Sequence, residues 1–126
     1  METALIVGAG SGLSASLARL LEKEGFRVAL AARNPDKLAA LRALALRCDA
    51  TDASQVEDTF KAVEAKWGVP DLVVYNASYR TRGPFMELPQ DQVQKTLQVT
   101  AYAGFLVAQA AARRMLPRGS GAIFFR

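Results

Sequence analysis

The 126-residue sequence contains no histidine and a single cysteine, Cys48. Without histidine, neither a Ser-His-Asp nor a Cys-His relay can be assembled. The common zinc sites, which draw on clusters of Cys and His, are excluded on the same ground. One cysteine closes no internal disulfide, which suits a reducing compartment and makes the cytoplasm the expected location. No segment reaches the roughly 18 uninterrupted apolar residues of a membrane span, and the N-terminus lacks the basic-then-apolar order of a secretory signal. Repeats, low-complexity tracts and linkers are missing as well, and the length fits one domain.

What is present is a chain that is 51% apolar and carries 16 Lys and Arg against 12 Asp and Glu, a formal net charge of +4. The apolar share is enough for a packed core. The basic excess favours anionic partners such as nucleic acid, acidic membranes or phosphorylated small molecules. Most cations are scattered, and only Arg113, Arg114 and Arg118 cluster, near a helix end where solvated cations offset the dipole. Basic and aromatic residues do not interleave along any segment, so no nucleic acid is expected as a partner, and no membrane.

Thr3 to Val7 is a short apolar run that stops at the turn Gly8-Ala9-Gly10-Ser11-Gly12, as a buried parallel strand does. Leu13, Leu17, Leu20 and Leu21 recur at helical spacing, predicting a helix over residues 12–24 with Gly25 as its stop. Arg27 to Ala32 reads as a second strand, and Asn34-Pro35 as an N-cap with proline at the first helical position. A third strand is expected from Ala45 to Cys48. Asp52 with Gln55 then reads as a capping box for a helix whose stripe of Val56, Phe60, Val63 and Trp67 ends at Gly68 and Pro70. Asp71 to Tyr75 makes strand four. One long helix is expected from Gln90 to about Leu116, with Val93, Leu97, Ala101, Ala108 and Met115 on one side and Pro117 and Gly119 closing it. Gly121 to Phe125 makes strand five. Strands alternating with helices imply parallel pairing through right-handed crossovers, hence an α/β, doubly wound sheet. Ligands of such sheets bind outside the carboxyl ends of the strands. The turn at Gly8, and then Arg33, Asp49 and Asn76, are the residues so placed.

A glycine-rich turn between a first strand and a first helix lets the backbone approach a pyrophosphate, whose charge free N–H groups and the helix dipole stabilise. It is also how a strand joins a helix with no ligand at all. The patterns G-x-x-x-x-G-K-[ST] and G-x-G-x-x-G both fail at Leu13. What stands is Gly8, Gly12 four residues later, and the small Ser14 two further on. This spacing resembles the G-x-x-x-G-x-G loop of the short-chain dehydrogenase/reductase family, with serine in place of its last glycine. Cys48-Asp49-Ala50-Thr51-Asp52 resembles the family's D-x-[ST]-D stretch. Tyr75-Asn76-Ala77-Ser78 resembles its N-N-A-G segment, with Tyr75 for the first Asn and Ser78 for the Gly. Three motifs in order are far more specific than any one of them.

The resemblance implies a Rossmann-type sheet of about five strands in the order 3-2-1-4-5, and a nicotinamide cofactor. Gly8, Gly10, Ser11, Gly12 and Leu13 would form the phosphate loop. Asp49 and the Ala50 backbone amide would hold the adenine, and Asn76, Ala77 and Ser78 would line the site from strand four. NAD-binding members of such folds carry an acid at the end of strand two, but here the stretch is Ala31-Ala32-Arg33-Asn34. Arginine offers a fork matched to phosphate. The resemblance therefore puts NADP, rather than NAD, on Arg33, with Asn34 or Lys37 as helpers.

Family chemistry is hydride transfer to or from a small carbonyl or alcohol, using a Ser and a Tyr-x-x-x-Lys pair that this sequence does not contain. At the position of the family's relay asparagine stands Thr100, whose hydroxyl could hold a water. The family's catalytic residues come beyond strand five. Strand five, as an uncovered apolar edge, would also aggregate if nothing followed it. The expectation is thus the cofactor-binding front of an enzyme about twice this length, forming dimers or tetramers through the long helix, where Ala101, Ala103, Gly104 and Ala108 permit close approach. The alternative is an inactive dinucleotide sensor on the same scaffold, which Ser14, Tyr75, Ser78 and Thr100 would all fit. Intact mass of the purified native protein checks the length: about twice 13.6 kDa is expected, and a value at 13.6 kDa overturns it.

Overall fold

A computed structural model describes residues 1–8, 12–38 and 43–126, with Lys37 and Leu38 described by their backbone alone. β1 (Thr3–Val7) is buried at every position, as a strand must be when helices cover both faces of its sheet. β2 (Arg27–Ala32) and β4 (Leu72–Tyr75) pair with it in parallel, one on each side. β3 (Leu44–Arg47) adds to β2, and β5 (Ala122–Phe125) to β4, giving the order β3-β2-β1-β4-β5. The expected five-stranded parallel sheet is therefore present. Val7 lies opposite both Ala31 and Tyr75. The central strands thus finish level, at the point where the chain stops building toward β3 and starts building toward β5.

Alternation along β1 divides the core. Ala4 and Ile6 face α1 (Leu13–Lys23), where Ala18 and Leu21 meet them. Leu5 and Val7 face the opposite layer, packed with Val56, Phe60 and Val63 of α2 (Ala53–Trp67). The α2 stripe is core as expected, with Trp67 partly buried at its end. Strand bounds shift slightly: β3 begins and ends one residue early, so Cys48 lies just past it, buried under α2 at 3% exposure. At the start of α2, Asp52 accepts from the amides of Ser54 at 2.9 Å and Gln55 at 3.4 Å. The return bond of the capping box goes elsewhere, because Gln55 Oε1 accepts from the Asp49 amide at 2.8 Å rather than from that of Asp52. Residues 35–38 form a 3₁₀ turn, not the first turn of a described helix. Asn34 still caps it, accepting from the Asp36 amide at 3.3 Å.

The long helix is corrected most. It is α3 (Gln90–Leu97), a π turn (Gln98–Tyr102) and α4 (Ala103–Arg118), closed by Gly119 at φ 79° with Pro117 inside its last turn. A π turn inserts one residue, and at 3.6 residues per turn each residue rotates the register by about 100°. Past the turn the buried face is therefore shifted from the expected stripe: Ala103, Gly104, Val107, Ala110 and Ala111 are buried, and so, as expected, is Met115, while Leu97 ahead of the turn and Ala101 within it face solvent. Ala103 and Gly104 accordingly pack within the subunit: a Cβ on Gly104 would stand 3.4 Å from the Tyr75 ring. They are not available for helix approach between subunits.

Two of the three clustered arginines are structural pins rather than solvated cations. Arg114 bonds Glu57 and Glu64 of α2 and lies 5.0 Å from the centre of the Phe60 ring. Arg118 bonds Asp71 and donates to the Val69 carbonyl at 2.9 Å. Asp71 in turn accepts from the Thr3 amide at 2.8 Å, so one carboxylate joins α4 to the start of β1.

Replacing Arg114 with Met keeps the stem but strands two glutamates, and the expected loss is about 2 kcal/mol. Urea unfolding checks it, with a lower midpoint and an unchanged slope. Burial pushes the Asp71 carboxyl up, but the Thr3 amide and the Arg118 guanidinium outweigh it and hold it below the usual range. Its contribution is therefore complete above an unfolded value of about 3.9 and is lost as pH falls through the lower folded value. Thermal melts between about pH 5 and pH 2 should show a shallower acid decline for Asp71→Asn than for the parent.

Candidate functional site

The carboxyl ends of β1, β2, β3 and β4 open into a cleft of about 520 Å³. At the end of β1, Gly8 has φ +87° and donates to the Ala31 carbonyl at 2.8 Å. A Cβ there would lie 2.5 Å from the Ala77 Cβ and 2.6 Å from the Ala77 nitrogen. Only glycine meets both conditions. Gly12 caps α1 without a side-chain hydrogen bond, a Cβ on it would meet nothing within 4 Å, and the first turn of α1 carries no acid. The start of α1 thus offers an anion a helix N-terminus with no side-chain cap and no acid in its first turn, which fits a pyrophosphate. Leu13 is half exposed where α1 begins. Gly10 and Ser11 lie outside the described residues.

Arg33, Asn34, Asp49, Ala50 and Thr51 line one end of the cleft. Asp49 Oδ1 accepts from the Thr51 hydroxyl at 2.7 Å, the Thr51 amide at 3.0 Å and Arg33 Nη2 at 3.3 Å. The Thr51 hydroxyl leads in holding this carboxyl below its usual range; burial opposes it, and the Thr51 amide and Arg33 assist. The Arg33 side chain is 59% exposed. The side chain of Lys37, the other expected helper, lies outside the described residues.

Asn76, Ala77, Ser78 and Tyr79 line the opposite end. The Asn76 amide donates to the Val7 carbonyl at 2.9 Å, and its Nδ2 donates to Ser14 Oγ at 2.7 Å. Ser14 is 2% exposed, so this bond ties the first turn of α1 to the end of β4 inside the protein. Tyr75 is buried beneath them, and its hydroxyl donates to the Val99 carbonyl in the π turn. Burial, with the nearby Cys48 and Asp49 assisting, pushes its phenol up to about 12. A neutral donor is therefore fixed there at any physiological pH.

Thr100 behaves differently from expectation. Its hydroxyl accepts from the Tyr79 amide at 3.2 Å and donates to the Tyr79 carbonyl at 3.1 Å, so its one proton is committed to a loop clamp rather than to a water. Lys95 lines the cleft with its Nζ 4.4 Å from the centre of the Tyr79 ring.

Of the expected site residues, Gly8, Arg33, Asn34, Asp49, Ala50, Asn76, Ala77 and Ser78 share one cleft; Gly12 and Leu13 are not among its lining. Sequence reasoning missed the Ser14–Asn76 bond, the Tyr75 hydroxyl, the Thr51 hydroxyl and Lys95. Ser14 and Tyr75 stood out only as departures from the family pattern. Their partners lie 62 and 24 residues away, and no local signal announces them.

Residues 2–125 match the family model described as short chain dehydrogenase. Gluconate 5-dehydrogenase of Gluconobacter oxydans is 33% identical, over 95% of this chain and 50% of its own length. D-threitol dehydrogenase of Mycolicibacterium smegmatis is also 33% identical, over 97% of this chain and 50% of its own. Among solved structures, an actinorhodin polyketide ketoreductase variant with NADPH superposes with a TM-score of 0.91 at 31% identity, over 98% of this chain and 52% of that one. A short-chain type dehydrogenase/reductase from Mycobacterium marinum gives 0.92 at 31% identity, over 98% and 54%. The chain spans about half the length of the curated relatives it matches. With the sheet order and the motif-bearing cleft agreeing with these likenesses, the chain belongs to the short-chain dehydrogenase/reductase family.

Proposed function

We propose that the protein is an NADP-dependent oxidoreductase acting on a small carbonyl or alcohol, and that residues 1–126 form its NAD(P)-binding Rossmann domain. The observation that carries the cofactor choice is Arg33. It follows β2, lines the cleft, and has no acidic neighbour in the stretch Ala31-Ala32-Arg33-Asn34. An acid there would accept from a ribose 2′-hydroxyl and repel a 2′-phosphate, whereas a guanidinium favours the phosphate. The neighbour crystallised with NADPH supports the same choice.

In this reading the first turn of α1 and the close-packed Gly8 receive the pyrophosphate, and Asp49 with the Ala50 amide holds the adenine. Asn34 stands beside Arg33, and Asn76, Ala77 and Ser78 form the wall from β4. The bound cofactor supplies the hydride or accepts it. The residues of this chain bind and orient it, and the proton-transfer groups of the family belong to sequence beyond these positions. Relatives named for gluconate and D-threitol are in keeping with a hydroxyl-bearing substrate. A homo-oligomer in the cytoplasm goes with the same reading. Exposed Leu97, Tyr102 and Phe105 along α3, the π turn and α4 support the assembly, in place of the buried Ala103 and Gly104.

Fluorescence titration with NADPH and NADH tests the proposal. NADPH is expected to bind more tightly, and Arg33→Ala to weaken it about tenfold while changing NADH less than about threefold. Tight NADH binding without NADPH binding would overturn the assignment of Arg33.

A further inference from the structure

The pairing of Arg33 with Asp49 has a consequence for which nucleotides the cleft admits, and it rests on the dinucleotide reading above. The two side chains are 59% and 36% exposed and meet through one nitrogen and one oxygen at 3.3 Å. Such a single, wet ion pair is weak and separable, unlike a bidentate buried pair. The partners are not equally free to move. Asp49 is held by two bonds from Thr51 on the same oxygen, and its amide is held by Gln55 at 2.8 Å. Arg33 has no other hydrogen bond from its side chain among the described residues. Of the two, only the guanidinium can readily turn to a ligand.

An anion arriving at Arg33 therefore meets a cation already shared with a carboxylate that cannot follow it. A phosphate gains the guanidinium only by displacing that carboxylate, and it then stands near a fixed negative charge. Both effects act against the 2′-phosphate, and neither touches a ribose that lacks one. We propose that Asp49, besides facing the adenine, is a specificity-determining residue: its carboxylate is a built-in competitor for Arg33 that limits how strongly the site prefers 2′-phosphorylated over unphosphorylated adenine nucleotides. Removing the negative charge while keeping the side-chain shape releases Arg33 to the phosphate and raises that preference.

The test uses two nucleotide fragments, adenosine 2′,5′-bisphosphate and adenosine 5′-monophosphate, titrated calorimetrically into the full chain. Their affinity ratio isolates the 2′-phosphate, because both fragments carry the same adenine and any weaker grip on that ring cancels in the ratio. Asp49→Asn retains an oxygen to accept from Thr51, and is expected to raise the ratio about fivefold. Asp49→Ala should move it in the same direction, which separates charge from local packing. In an Arg33→Ala background the rise should shrink, because only the direct repulsion between carboxylate and phosphate remains to be removed. A ratio that stays constant or falls in both Asp49 variants with Arg33 present overturns the inference, as does an equal rise without Arg33. Binding of neither fragment by the parent chain overturns the dinucleotide reading itself, an outcome distinct from the other two.

Discussion

Where β1 ends, Gly8 stands against Ala77 so closely that a single added methyl would overlap the neighbouring backbone. This close approach joins the two strand ends at which the sheet changes its direction of growth. Val7 and Tyr75 are in register one residue earlier, and the Asn76 amide closes on the Val7 carbonyl. Because β1 and β4 finish level and touching, Gly8 and the loop after β4 come to line one cleft. Every other feature of the site hangs on that geometry, and it explains why a glycine with positive φ is needed there.

Around this point, side-chain hydroxyls link segments that are far apart in sequence. Ser14 takes the Asn76 amide group, Tyr75 reaches the π turn at Val99, and Thr100 closes on both backbone groups of Tyr79. These residues stand at positions where the sequence departs from the family pattern. The departures are not simple losses. Tyr75 fills the space that Gly104 leaves open and satisfies a carbonyl in a turn whose hydrogen bonding is irregular. Thr100 keeps the loop after β4 in place with one group. A cleft wall built from these bonds is preorganised, which lowers the cost of ordering it around a ligand.

The basic excess is put to two uses. Arg114 and Arg118 are spent inside the fold, tying α4 to α2 and to the strand starts through Glu57, Glu64 and Asp71. Arg33 is placed on the cleft, with its charge only lightly committed to Asp49. Net charge by itself distinguishes neither role. Burial and partner geometry do, since a guanidinium with two carboxylates around it is a strut, while one at a single long ion pair remains open to an incoming anion.

The amino-acid sequence by itself determined the strand–helix alternation, the parallel sheet order implied by its resemblance, and eight of the residues that ring the cleft. These follow from local signals: the buried run Thr3 to Val7, the glycine turn, the Asp52 cap and the stripe Val56, Phe60, Val63. Only the tertiary structure decided the phase of the last helix. One extra residue in a π turn rotates everything after it, and a periodicity that assumes 3.6 residues per turn cannot register that insertion. It likewise decided that Gly104 packs against Tyr75, that Ser14 meets Asn76, and that Asp49 shares Arg33. Such pairings join residues from different strands and helices, whose proximity is set by how the layers stack and not by any neighbour in the chain.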